Sequence, residues 1–78
     1  MARNEFWVLG FHSDKNELVF EQLVSLSVED LKPVMQWVFN DDHIGVDFRL
    51  SMKQVLEIER LASLVFPQGL DLYLTSYD

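Results

Sequence analysis

Asp41, Asp42 and His43, followed by Asp47, come closest to a chemical constellation in this 78-residue chain. Three carboxylates and an imidazole in one short stretch could hold a divalent cation through oxygen and nitrogen donors. The stretch lacks the glycine and regular ligand spacing of a metal loop, so it reads as a solvated acidic loop. Placed after a helix, these acids oppose the negative end of its dipole. A basic side chain from a partner would relieve that opposition, which makes ion pairing the better functional reading of Asp41, Asp42 and Asp47. The other catalytic parts do not assemble. His12 and His43 are the only histidines, and neither sits in a motif that pairs it with a nucleophile. No serine lies in a G-x-S-x-G setting, and Gly10, Gly45 and Gly69 form no phosphate-binding loop. The absence of cysteine excludes disulfides and thiolate metal sites. The expectation is a protein that is not an enzyme and uses no metal or cofactor.

The charge balance points to binding. Thirteen Asp and Glu stand against six Lys and Arg, for a net charge of −7. Nucleic-acid binding needs clustered cations, and Arg3, Lys15, Lys32, Arg49, Lys53 and Arg60 are scattered. A basic protein would instead be attracted and its association accelerated. The same balance also serves solubility alone. A second candidate group lies near the end of the chain, where Asp71, Tyr73 and Tyr77 share the wet face of a strand. A hairpin presenting Trp7, Phe11, Glu17 and Glu21 beside it would complete an aromatic and acidic surface. Aromatic side chains carry interface energy, and acids around them select a basic partner. The plainer alternative is that tyrosines simply suit a half-wet strand.

These residues need elements to hold them. Phe6–Phe11 is an aromatic and β-branched run, predicted as a strand buried on both faces. A turn at His12–Asn16 and a second extended stretch, Glu17–Leu23, complete a hairpin with a loop of four or five residues. Leu18 and Phe20 are expected on one face of that stretch, with Glu17, Val19 and Glu21 on the other. Ser27 caps a first helix, Glu29 and Asp30 suit its positive end, and Leu31, Val34, Met35 and Val38 mark its buried side. Pro33 interrupts it by one hydrogen bond. Trp37 and Phe39 fall near its end, with at least one partly exposed. Val46, Phe48 and Leu50 alternate with Asp47 and Arg49 as a short strand. Ser51 and Gln54 match a capping box for a second helix running to about Val65. Its apolar stripe is Val55, Ile58, Leu61, Ala62 and Val65, and its wet face carries Lys53, Glu57 and Arg60. Pro67-Gln68-Gly69 stops it. Leu70, Leu72 and Leu74 then alternate with Asp71, Tyr73, Thr75 and Tyr77, the signature of a strand with one face on the core. The order β-β-α-(β)-α-β predicts an α+β fold: a small antiparallel or mixed sheet of three to four strands with two helices on one face.

Residues 1–78 suffice for one domain with a thin core. No apolar leader follows Met1–Glu5, and no apolar run approaches the length of a membrane span. The expectation is a cytoplasmic protein with no membrane association.

The layout from Phe6-Trp7-Val8-Leu9-Gly10-Phe11, through Ser27-Val28-Glu29-Asp30-Leu31 and Ser51-Met52-Lys53-Gln54-Val55, to Leu72-Tyr73-Leu74 resembles the small acidic immunity proteins of bacterial toxin–immunity systems. These guard cells against contact-dependent growth inhibition and related polymorphic toxins. The resemblance rests on size, charge and layout, and it transfers no functional residue. It implies a basic protein partner, a C-terminal toxin domain such as a nuclease, whose active site or substrate groove is blocked. Asp41, Asp42, Asp47, Asp71, Tyr73 and Tyr77 are the leading contacts on this reading, with Glu17 and Glu21 behind them. The alternative is a homodimeric structural or regulatory adaptor that pairs through a sheet edge or aromatic face.

Overall fold

The computed structural model describes residues 5–39 and 42–77. The elements run β1 (Glu5–Phe11), β2 (Leu18–Val24), α1 (Val28–Met35), β3 (Phe48–Arg49), α2 (Met52–Ala62) and β4 (Asp71–Tyr77). The four strands form one antiparallel sheet in the order β2-β1-β4-β3. This is the expected α+β architecture. No helix among the described residues is long and apolar enough to cross a membrane.

One face of the sheet holds the core. Phe6 and Val8 of β1, Val24 of β2, and Leu72 and Leu74 of β4 pack with Leu31 of α1 and Ile58 of α2. Each such side chain, fully buried, contributes about 1.5–3 kcal/mol. Both helices begin with a capping box. The Ser51 hydroxyl accepts from the Gln54 amide, and Gln54 Oε1 accepts in return from the Ser51 amide. Ser27 and Asp30 make the same exchange at α1, so Asp30 is a structural acid.

The helices stop earlier than their apolar spacing predicts. α1 ends at Met35 because Gln36 takes a left-handed conformation, with φ of 61°. That step turns Trp37 into the core and leaves Val38 70% exposed, against the expectation that Val38 faces inward. α2 ends at Ala62 in the same way, with Ser63 at φ 56°. Phe66 takes the buried place, and Val65 is 88% exposed rather than part of the stripe. Leu61 is also exposed. In both cases the residue after the left-handed cap closes the turn by donating its amide to a helical carbonyl: Trp37 to Lys32, and Leu64 to Glu59.

The hairpin corrects a further expectation. Gly10 pairs with Phe20 and Phe11 with Leu18, so Val19 is an extra residue in β2. This bulge flips the strand's alternation. Phe20 stays on the core side, while Leu18 joins Phe11 on the opposite face. Gly10 is required here: a Cβ would lie 3.0 Å from Phe20 Cβ and 2.9 Å from Leu70 Cδ1. The loop is His12–Glu17, closed by the His12 amide donating to the Glu17 carbonyl at 2.9 Å. β3 is shorter than its alternation suggested, since Val46 is exposed and only Phe48 and Leu50 turn inward.

Candidate functional site: the helix-free face of the sheet

Both helices bury their apolar sides in the core, so neither covers the other face of the sheet. β1 presents Glu5, Trp7, Leu9 and Phe11 there. β4 presents Asp71, Tyr73, Thr75 and Tyr77, and β2 adds Glu21 and Leu23. Two aromatic pairs lie diagonally across β1 and β4. Trp7 and Tyr77 meet edge-on with ring centres 6.2 Å apart, and Phe11 and Tyr73 meet at 5.6 Å with planes at 89°. Such edge-to-face pairs hold each ring in place. Leu9 sits between Glu21 and Tyr73 and is buried. β1 is thus buried on its core face but only half-buried at Trp7 and Phe11 on this one.

Carboxylates surround the rings. Asp47 reaches the face from the loop before β3, where its Oδ1 accepts a 2.6 Å bond from Thr75 Oγ1. Asp71 pairs with Arg49, Nη2 to Oδ1 at 2.9 Å, in a contact largely exposed on the arginine side and worth little by itself. Glu5 and Glu21 have no ion-pair partner among the described residues. Glu17 lies exposed at the hairpin end of β2. Cations are distributed differently: Lys15 lies in the hairpin loop, Lys32 lies in α1, and Lys53 and Arg60 lie in α2, on the other layer. Arg49 is the one described cation on the face, and Asp71 already neutralises it. The acidic excess is therefore concentrated where the helices are not.

The predicted site residues divide accordingly. Asp47, Asp71, Tyr73, Tyr77 and Glu21 come together on one surface, joining what the sequence left as separate loop and strand groups. Asp41 lies outside the described residues. Asp42 turns away from the face: its Oδ2 accepts from the amides of Val38 and Phe39, each at 2.9 Å. These bonds, the one from Phe39 first, hold its carboxyl below the ordinary aspartate range. Asp42 is thus the local replacement for hydrogen bonds lost where α1 stops. His43 is 2% exposed, tilted against Phe6 at 5.2 Å and Trp37 at 5.6 Å, and neither ring nitrogen has a hydrogen-bond partner. Among the described residues no three His, Cys, Asp or Glu side chains gather as metal ligands.

Sequence reasoning named Trp7 and Phe11 as neighbours of this surface and placed Thr75 on the same strand face as the tyrosines, but did not identify Leu9, Leu23 or Glu5 as parts of it. The strict alternation along β1 and β4 carries that information once the two strands are known to be adjacent. Compared with known proteins, the chain matches no family model, no curated protein and no solved structure.

Proposed function

We propose that this protein is a cytoplasmic immunity protein that neutralises a basic toxin domain, such as a nuclease, by laying its helix-free sheet face over the toxin's active site or substrate groove. One observation carries the reading: Trp7, Phe11, Tyr73 and Tyr77 form a braced aromatic surface ringed by Glu5, Glu21, Asp47 and Asp71. Aromatic anchors inside a polar rim are the usual composition of a binding hot spot. The carboxylates take the place that substrate phosphates occupy in a basic groove, and they steer the two proteins together. No proton transfer or bond cleavage is asked of this chain; inhibition follows from occupancy.

The test is co-expression with the C-terminal domain encoded by the gene immediately upstream. The proposal expects a stoichiometric complex and loss of that domain's toxicity. Absence of a complex at micromolar concentrations overturns it.

A further inference from the structure

The two edges of the sheet are built differently. β3, at one edge, has two residues and carries Arg49. A short, charged edge resists pairing with another strand. β2, at the other edge, has seven residues, Leu18–Val24, with neither lysine nor proline. Its bulge lies at the hairpin end, so Phe20–Val24 runs on without interruption. Leu18, Val19 and Leu23 are 44%, 45% and 39% exposed. Among the described residues, the backbone groups on its outer side meet no further strand. The Leu23 carbonyl accepts from Gln22 Nε2 at 3.0 Å, an exposed contact between neighbours that an incoming amide can replace.

Charge narrows what fits this edge. β2 and its loop end carry Glu17 and Glu21, and residues 16–24 include no lysine or arginine. A second copy would bring another net −7 against this stretch. We propose that β2 is a strand-addition site that accepts an extended, lysine- or arginine-bearing segment of a partner protein as a fifth strand. Ladder hydrogen bonds would hold its backbone. Its cations would meet Glu21 on the helix-free face, and its apolar side chains would meet Phe20 and Val24 on the core face. The added strand would widen the aromatic face, because Glu21 and Leu23 already belong to that face. This inference rests on the reading that the protein binds a basic partner, and it specifies how that partner is gripped.

The probe is a peptide alternating lysine and valine, as long as β2's seven residues. Its control replaces the central valine by proline, which keeps the charge but removes a ladder donor and breaks the extended pairing. Binding is followed by amide NMR shifts and hydrogen exchange in low salt. Strand addition predicts shifts centred on Leu18–Val24, slowed exchange of β2 amides, and about tenfold weaker binding of the proline peptide. Equal binding of both peptides, with shifts at Trp7, Tyr73 and Tyr77 alone, overturns strand addition and leaves the basic-partner reading standing. Binding of neither peptide overturns strand addition, while the toxin co-expression test above still decides the wider reading. A free protein that sediments as a dimer with β2 amides already protected overturns it in favour of a second copy.

Discussion

Thr75 Oγ1 donates to Asp47 Oδ1 at 2.6 Å, and this bond ties the loop before β3 to the outer face of β4. Thr75 is buried, so its hydroxyl depends on that acceptor. Asp47→Ala should therefore lower stability by about 1–2 kcal/mol, the cost of leaving a buried donor unpaired. Asp47→Asn keeps an oxygen in place and should lose much less, while still removing a charge from the face. Urea denaturation of the two variants separates these effects. Equal losses would mean that the hydrogen bond contributes nothing to the fold.

Asp42 gives the protein a dependence on acid. Its folded carboxyl is held below the ordinary value of 3.8 by the Phe39 and Val38 amides. A carboxyl depressed by folding stabilises while ionised, at pH above its unfolded value, and loses that contribution as pH falls through its folded value. Asp42→Asn should thus be less stable than the parent at pH 7, and the gap should close below about pH 4, the ordinary carboxylate range. Thermal melts across that range check the sign. A gap that widens on acidification would refute the assignment.

His43 is a buried polar ring without a polar partner. Replacing an unsatisfied buried group by an apolar one of similar shape is neutral or favourable. His43→Phe should match or exceed the parent in melting temperature, whereas His43→Ala should lose about 2 kcal/mol or more to the cavity it leaves. A large loss in the phenylalanine variant would mean that the imidazole nitrogens find partners in solution.

Gly10 tests the bulged hairpin. A methyl group there meets Phe20 Cβ at 3.0 Å, an atom that cannot swing aside without its backbone. Gly10→Ala should cost about 1–3 kcal/mol, as overpacking does elsewhere. Chemical denaturation measures it directly. Unchanged stability would show that the hairpin shifts freely.

Local periodicity made most of this fold legible. The alternation of Leu72 and Leu74 with Asp71, Tyr73 and Tyr77 gave β4 and its two faces, and Ser51 with Gln54 gave the start of α2. The helix ends were hidden because Gln36 and Ser63 take left-handed conformations usually filled by glycine. The position of Leu18 was hidden because a bulge reverses alternation without a sequence marker of its own. The site was half legible. Tyr73 and Tyr77 could be placed on a face, but their union with Trp7, Phe11 and Asp47 depends on β1 lying beside β4, a pairing of residues far apart in sequence. The bonds of Asp42 to the Val38 and Phe39 amides were not legible, because a carboxylate after a helix reads the same in sequence whether it points to solvent or to its own backbone.

The central claim is that the aromatic and acidic sheet face grips a basic partner. Isothermal titration of the upstream-encoded toxin domain into the parent protein, Tyr77→Ala and Glu21→Lys tests it most directly. Both side chains are exposed, so both variants should keep the parent's circular dichroism spectrum and melting behaviour. The account predicts one-to-one binding by the parent, with Tyr77→Ala weaker by about thirtyfold, the loss of an anchor worth about 2 kcal/mol. Glu21→Lys should also bind more weakly than the parent, and the gap between them should widen as salt is lowered, because the local repulsion is then less screened. Folded variants that bind as tightly as the parent would contradict the account.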